Sequence, residues 1–249
     1  MGGGLTYMAE LAGESIVVTG GSRGLGKEMA LRFSEEGAVV TIVSRSEDSL
    51  RSVAEEAPGE VIVAPADVRD PAAVEAAVKK TVDRVGSVNT LVNNAGVGLL
   101  SLADQTKPLV DITVEEWGTI METNLEGVFL FTKEVLPLMQ STGRGNVINI
   151  SSGLGRRAAP GWTPYITTKW GLEGLTRALA LEVQDDGILV NGLDPGGPVK
   201  TRFWNTADDS VDLLEPTVMN DAAVLLAAQG PSGVTGESMS AADWEARLE

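Results

Sequence analysis

The stretch SIVVTGGSRGLG, residues 15–26, joins a short run of β-branched residues directly to a turn rich in glycine. The run at residues 15–19 is almost continuously apolar, which is typical of a strand buried on both faces. After the turn, Leu25, Met29 and Phe33 recur every fourth position, as residues on one face of a helix do. The stretch therefore predicts a strand–turn–helix unit whose turn lies at the carboxyl end of the strand.

The glycines of this turn indicate a ligand. Gly20, Gly24 and Gly26 let the backbone turn tightly and approach a pyrophosphate, whose charge would face the amide groups at the start of the helix. Their spacing, G-x-x-x-G-x-G, differs from the common G-x-G-x-x-G fingerprint. We expect dinucleotide binding here, with a plain structural turn as the alternative.

The same alternation of apolar runs and helical segments continues along the chain. Further strands are predicted at residues 38–44, 60–66, 89–95, 146–151 and 188–193. Between them, Asp70 followed by Pro71 is typical of a helix start, and Thr113 with Glu116 has capping-box spacing. Because parallel strands need crossover connections, this order predicts an α/β fold: a doubly wound parallel sheet of about seven strands with helices on both faces. We expect a single domain over residues 1–249.

Composition excludes several classes of function. The formal charge is -16, from 35 acidic and 19 basic residues spread along the chain, so a nucleic-acid partner is not expected. This excess reflects either ordinary solubility or adaptation to high salt. Cysteine and histidine are both absent, which argues against disulfides, thiol nucleophiles, the usual hydrolase triad and a metal site. No apolar run approaches the roughly 18 residues of a membrane span, and the first residues lack the features of a signal peptide. We therefore expect a soluble, cytoplasmic protein.

The end of the second predicted strand bears on which dinucleotide binds. NAD enzymes commonly place an acidic residue there for the ribose hydroxyls, whereas a basic residue accommodates a 2′-phosphate. Ser44 and Arg45 occupy this place, and no carboxylate follows until Glu47. Arg23 in the glycine-rich turn adds a second positive charge. Unless both arginines are merely solvated, the site favours NADP(H), and NAD(H) is the less favoured cofactor.

Seven motifs then follow one another in order. They are TGGSRGLG (19–26), Asp67 with Val68, NNAG (93–96), Asn124 in ETNLEGVF, NISS (149–152), YITTK (165–169) and NGLDPG (191–196). In order and at ordinary spacing from about residue 14 to residue 201, this set resembles the classical short-chain dehydrogenase/reductase family, including its 3-oxoacyl-ACP reductase-like members. The resemblance implies a Rossmann-type fold and an oxidoreductase.

The resemblance also implies roles for individual residues. Those expected around the cofactor phosphates are Gly20, Ser22, Arg23, Gly24, Leu25 and Gly26. Those expected at the adenine are Asp67 and Val68, and those expected along the cofactor and at its nicotinamide end are Asn94, Ala95, Gly96, Pro195, Gly196, Val199 and Thr201. The catalytic tetrad would be Asn124, Ser152, Tyr165 and Lys169, with Tyr165 and Lys169 also lying against the cofactor. The alternative for the asparagines is to satisfy buried backbone groups, and Ser152 could be a helix cap.

The chemistry of carbonyl reduction asks for such residue types. A ketone that accepts hydride from C4 of the nicotinamide develops negative charge on its oxygen, so it needs hydrogen-bond donors and a proton source. Ser152 can donate a hydrogen bond, and Tyr165 can supply the proton. An unperturbed tyrosine has a pKa of about 10. We expect Lys169, one helical turn further along, to lower that pKa by its charge. An exposed pair with no catalytic role is the alternative.

Several features bear on the substrate and leave alternatives open. A substrate-binding lid is expected at residues 197–217, and Trp162 and Trp204 either wall the substrate pocket or only pack. Arg156 and Arg157 are a thin candidate for recognising an acyl carrier. Besides an enzyme acting on a small carbonyl or alcohol, the sequence leaves open a noncatalytic NADP(H)-binding regulator and a nucleotide-sugar epimerase or dehydratase of the extended branch.

The resemblance also bears on assembly. It implies a homo-oligomer, a tetramer or dimer, built through the helices within residues 112–140 and 165–183. The final residues, TGESMSAADWEARLE, depart from the family pattern. Their departure leaves the packing of the C-terminus and its part in an oligomer contact undecided.

Overall fold

Seven parallel strands form the centre of the molecule. The structure is a computed structural model that describes residues 10–204 and 211–248. The strands are β1 Ser15–Thr19, β2 Val39–Ser44, β3 Val61–Pro65, β4 Thr90–Asn93, β5 Gly145–Ile150, β6 Ile188–Asp194 and β7 Ser238–Ser240. Their order in the sheet is β3-β2-β1-β4-β5-β6-β7, and all six pairings are parallel. The predicted Rossmann-type α/β fold is confirmed.

The helices cover both faces of this sheet. They are α1 Gly24–Glu35, α2 Glu47–Glu56, α3 Pro71–Val85, α4 Leu99–Ala103, α5 Val114–Met121, α6 Gly127–Thr142, α7 Thr163–Val183, α8 Asn220–Ala227 and α9 Ala241–Leu248. Alternate residues of β1 serve opposite layers: Ile16 and Val18 pack into one hydrophobic core with Phe33, and Val17 packs into the other with Phe131. The strand order reverses between β1 and β4, and ligands of such sheets bind in the crevice beyond the carboxyl ends of those strands.

Local signals in the sequence set the helix ends as predicted. The Asp70 side chain accepts hydrogen bonds from the first amides of α3, and Thr113 and Glu116 form the reciprocal capping box of α5. Gly37, just after α1, has a φ of +87°, the left-handed conformation that favours glycine at a helix end. Each of these signals depends only on residues close in sequence.

The C-terminal segment packs against the edge of the sheet. Strand β7 pairs with β6, and the close approach needs Gly192, where a Cβ atom would lie 2.3 Å from the Ser238 hydroxyl. In α9, Trp244 is fully buried and its indole N–H donates to the Gly192 carbonyl at 2.8 Å. The atypical ending therefore closes the hydrophobic core on this side.

Among the residues that the structure describes, no helix is both long enough and apolar enough to cross a membrane. The same residues contain no group of three or more acidic side chains close enough together to hold a metal ion.

Candidate active site

A cavity of about 1270 Å³ lies beyond the carboxyl ends of the strands. It reaches from the glycine-rich turn after β1 to the start of α7. Of the residues that the sequence assigns to cofactor or catalysis, only Asn124 does not line it. The structure thus brings together side chains separated by up to about 180 positions in the chain.

The glycine-rich turn is built for close contact with the backbone. Gly20 and Gly24 have φ values of +69° and +55°, which strain any other residue. A Cβ on Gly26 would lie 2.3 Å from the Asn94 side-chain nitrogen and 2.5 Å from the Gly20 carbonyl oxygen. Asn94 holds the turn from the next strand by donating to the Thr19 carbonyl at 2.8 Å. Arg23, the N-cap residue of α1, makes no side-chain hydrogen bond to the first amides of the helix. These amides therefore face the cavity without a capping side chain.

Four arginines that line the cavity have no carboxylate partner among the described residues. Arg23, Arg45, Arg157 and Arg202 make no ion pair or side-chain hydrogen bond within the described residues, and all four line the cavity. Elsewhere the arginines pair with carboxylates, as Arg84 does with Glu60. In a chain with a net charge of -16, this distribution indicates that the cavity receives negatively charged groups.

Three of these arginines lie around the glycine-rich turn. Burial lowers the pKa of Arg23, and the charges of Arg202 and Arg45 lower it further. Arg202 lies near Arg23 because the preceding residue, Thr201, packs on the glycine-rich turn. A Cβ atom added to Gly24 would lie only 3.1 Å from the Thr201 methyl group. Sequence reasoning missed Arg202, and its only signal was a basic residue beside the expected Thr201.

Asp67 belongs to the same end of the cavity. Its carboxylate pairs with Arg69 at 2.8 Å, and these hydrogen bonds lower the pKa of Asp67. Val68 next to it is buried.

Ser152 and Tyr165 meet at the other end of the cavity. Ser152 follows β5 and its hydroxyl accepts a hydrogen bond from the Leu154 amide at 3.2 Å. Tyr165 lies in the first turn of α7, and the Ser152 hydroxyl is close enough to act on its ionisation. Lys169, one turn later, is buried, donates to the Ile150 carbonyl at 2.6 Å, and lies 5.5 Å from the centre of the Tyr165 ring.

Burial dominates the ionisation of this pair. It raises the pKa of Tyr165 to about 12, against the opposing effect of the Ser152 hydroxyl, and the charge of Asp194 raises it further. Burial also lowers the pKa of Lys169 to about 8, although the charges of Glu173 and Asp194 oppose this. The pKa of Tyr165 is therefore raised in this structure, not lowered as the sequence predicted, because burial has the largest effect on it.

Asn124 lies next to the cavity and makes hydrogen bonds to neighbouring segments of the chain. It lies in a π-helical turn, Glu122–Glu126, between α5 and α6. Its side-chain nitrogen donates to the Val97 carbonyl at 2.9 Å and to the Thr168 hydroxyl at 3.1 Å, and its oxygen accepts from the Val97 amide at 2.8 Å. These contacts tie α7 to the loop after β4, and any contribution of Asn124 to catalysis stays a prediction.

Comparison with known proteins places this arrangement in a family. A family model described as short chain dehydrogenase matches residues 14–212. The chain belongs to the short-chain dehydrogenase family. Members of this family are oxidoreductases, and the order of motifs in the chain is that of the family.

Individual relatives cover nearly the whole of this short-chain dehydrogenase. The (2S)-[(R)-hydroxy(phenyl)methyl]succinyl-CoA dehydrogenase subunit BbsD of Thauera aromatica is 36% identical and covers 89% of this chain and 83% of its own. The structure of 3-ketoacyl-(acyl-carrier-protein) reductase from Brucella melitensis, complexed with NADH, has a TM-score of 0.85 and 30% identity, covering 92% of this chain and 97% of its own. A metagenomic short-chain oxidoreductase in complex with NADP has a TM-score of 0.80 and 30% identity, covering 93% and 97%. The relatives thus include complexes with either nicotinamide cofactor.

Two carboxylates are buried behind the end of the cavity that contains Ser152 and Tyr165. Glu173 and Asp194 are only 3% and 1% exposed. Arg156 bridges them, donating to Glu173 at 3.0 Å and to Asp194, and Arg177 and Ser238 also donate to Glu173. Arg156 is therefore occupied by this network and is not free to recognise a carrier, contrary to what the sequence suggested.

An aromatic cluster covers Tyr165 on the side of the lid. Trp162 stacks on Trp204 with ring centres 5.2 Å apart and meets the Tyr165 ring edge-on at 5.9 Å. Phe203 lies 5.0 Å from the Tyr165 ring. Both tryptophans line the cavity, as Phe203 does. Residues 205–210 of the expected lid, residues 197–217, lie outside the described residues.

Proposed function

We propose that this chain is an NADP(H)-dependent oxidoreductase that transfers hydride between nicotinamide C4 and a carbonyl or secondary alcohol, with Tyr165 as the general acid and base. One observation supports this most directly: Tyr165, Ser152 and Lys169 line the same cavity as a glycine-rich turn, Arg23 and Arg45. A nicotinamide dinucleotide would supply the hydride. The glycine-rich turn would hold its phosphates, and the loop containing Pro195 and Gly196 would lie at its nicotinamide end.

The ionisation of the site favours proton donation. With a pKa raised to about 12, Tyr165 keeps its proton at neutral pH and can deliver it to a carbonyl oxygen as negative charge develops there. Ser152 would bind the same oxygen through its hydroxyl. Lys169, whose pKa is about 8, is largely charged at neutral pH and can lend positive charge to the site. These properties suit ketone reduction near neutral pH.

Replacing the proton donor tests this mechanism. Tyr165→Phe removes the hydroxyl and keeps the ring, so we expect NADPH affinity to be retained and turnover to fall by about 10²- to 10⁴-fold. NADPH absorbance is followed against a panel of ketones, 3-oxoacyl thioesters, sugars and steroids, and cofactor binding is followed by NADPH fluorescence. Undiminished turnover in this variant would overturn the mechanism.

The choice of NADP(H) over NAD(H) rests on Arg23, Arg45 and Arg202. These three neighbouring guanidinium groups have no carboxylate partner within the part of the chain that the structure describes, and they repel one another. A 2′-phosphate together with a pyrophosphate would relieve that repulsion. Arg45 directly follows β2, where a basic residue accommodates a 2′-phosphate.

Charge reversal at Arg45 tests the cofactor assignment. Arg45→Asp should raise the Kd for NADPH by at least about tenfold, because a charge-assisted hydrogen bond is worth about 1.5–3 kcal/mol, and should leave the Kd for NADH nearly unchanged. Arg84→Asp, at an exposed ion pair outside the cavity, is the matched control. Equal losses for both cofactors would contradict the assignment.

No observation favours a noncatalytic regulator or a sugar-nucleotide enzyme. Assembly into a homo-oligomer is part of the proposal, because large apolar side chains are exposed on the two helices expected to form the contact. They are Phe129 on α6 and Trp170 and Leu181 on α7, which are 51%, 53% and 71% exposed.

A further inference from the structure

Arg157 lines the cavity near Ser152, is exposed to solvent, and has no ion-pair or hydrogen-bond partner among the described residues. Its guanidinium lies over Gly153, directly after Ser152: the Nη2 and Cζ atoms would lie 3.1 and 3.4 Å from a Cβ at that position. Any larger residue than glycine would therefore push the guanidinium away. No carboxylate of the described chain pairs with it, whereas the adjacent Arg156 is held by Glu173 and Asp194.

The cofactor phosphates do not account for this charge. Arg23 lies in the turn after β1 and Arg45 directly follows β2, whereas the Arg157 guanidinium lies over Gly153, beyond β5. The Arg157 guanidinium lies instead over the residue next to Ser152, whose hydroxyl would bind the reacting carbonyl. An unpaired arginine beside that carbonyl, in a chain with 35 acidic residues, indicates an anionic group on the substrate.

The opposite wall is aromatic. Aromatic residues make up only 4% of the chain, yet Trp162 and Phe203 both contact Tyr165, and Trp204 stacks on Trp162. Gly98 makes room for one of them, because a Cβ there would lie 2.8 Å from the Phe203 ring. Flat ring faces and edges of this kind accept another aromatic ring in stacked or edge-to-face contact.

Building on the proposed function, we propose that the substrate is an aromatic ketone that also carries a carboxylate, or the corresponding secondary alcohol. The aromatic ring packs on Trp162 and Phe203, and Arg157 binds the carboxylate. In the reduction, hydride forms a new C–H bond at the carbonyl carbon, the π-bond electrons move to oxygen and take the Tyr165 proton, and NADPH becomes NADP⁺. Solvent returns a proton to the tyrosine.

A set of three matched compounds tests this substrate class. They are 3-benzoylpropanoate, its methyl ester, and 4-cyclohexyl-4-oxobutanoate, which keeps the carboxylate and lacks the aromatic ring. Wild-type protein should reduce the aryl acid with the highest kcat/KM. Arg157→Gln should lower kcat/KM for the acid on the order of 10- to 100-fold and leave the ester within about twofold, because only the acid loses a charge-assisted contact.

A second variant addresses the aromatic wall. Trp162→Leu should remove the preference for the phenyl over the cyclohexyl compound, a change of roughly 2- to 10-fold, while NADPH binding by fluorescence stays unchanged. Arg51→Gln, an exposed arginine that pairs with Glu47 outside the cavity, is the control for Arg157. Calorimetric titration of 3-benzoylpropanoate into protein saturated with NADP⁺ measures binding apart from turnover, and Arg157→Gln should weaken it similarly.

The outcomes separate this inference from the proposed function. If no compound of any panel is reduced with NADPH or NADH, the proposed function itself fails. If ketones are reduced but the ester is used as well as the acid, or Arg157→Gln matches Arg51→Gln, the substrate class is refuted while the oxidoreductase stands.

Discussion

The burial of Lys169 should lower the stability of the folded protein. The side chain is 6% exposed, and burial lowers its pKa from 10.5 to about 8. In the unfolded chain the lysine keeps its proton up to about pH 10.5. Folding at pH 7 therefore forces a charged ammonium into a site that disfavours it. We expect Lys169→Met, which has a similar length and no charge, to fold more stably at pH 7 while losing turnover.

The size of the effect follows from the pKa. At about 1.4 kcal/mol for each pH unit, the change in the pKa of Lys169 corresponds to a penalty of about 3 kcal/mol. The methionine variant also loses the hydrogen bond from the charged lysine to the Ile150 carbonyl, worth about 2 kcal/mol. The net gain is about 1 kcal/mol, which for a chain of this length raises Tm by about 2–4 °C.

The pH dependence of the Tm difference distinguishes removal of a buried charge from an improvement in packing. Because the folded lysine deprotonates near pH 8 and the unfolded one near 10.5, the penalty is complete below pH 8 and disappears as the pH rises between these values. The Tm advantage of Lys169→Met should therefore shrink from pH 7 to pH 9.5. Ionisation of Tyr165, with its pKa raised from 10 to about 12, costs stability only above about pH 10 and does not interfere.

Thermal melts of the wild type, Lys169→Met and Lys80→Met at pH 7 and pH 9.5 test the reasoning. Lys80 also donates to a backbone carbonyl, at 2.7 Å from the Val63 oxygen, but on the surface, so Lys80→Met is the matched control. It should change Tm by little, with no pH dependence. The reasoning is refuted if Lys169→Met melts below the wild type at pH 7, or if its advantage is the same at pH 7 and 9.5.

Two further predictions concern charge and assembly. The carboxylate of Asp194 raises the pKa of both Tyr165 and Lys169. Asp194→Asn should therefore lower both pKa values and move the alkaline limb of the kcat/KM profile for ketone reduction to lower pH. An unchanged profile would speak against this coupling. Trp170 is exposed on α7, so Trp170→Glu should place charge in the proposed contact and reduce the mass measured by light scattering after gel filtration. A wild type that is already monomeric, or a variant of undiminished mass, would count against the assembly.

Much of the fold was predictable because its signals are local. The six apolar runs, the glycine-rich turn, the Asp70 cap and the capping box at Thr113 depend on residues at most a few positions apart. Strand β7 was not predictable in this way. Its sequence, SMS, has no β-branched residue and gains its conformation from pairing with β6 and from the close approach at Gly192.

By itself, the sequence determined the family, the parallel sheet and the types of residue at the candidate site. Only the tertiary structure decided which charges are paired: Arg156 meets Asp194, 38 positions away, whereas Arg157 meets no carboxylate of the described chain. It also decided the pKa values, where burial raises that of Tyr165 and lowers that of Lys169. The physical reason is that motif spacing is fixed along the chain, whereas desolvation and ion pairing depend on every element that packs around a side chain.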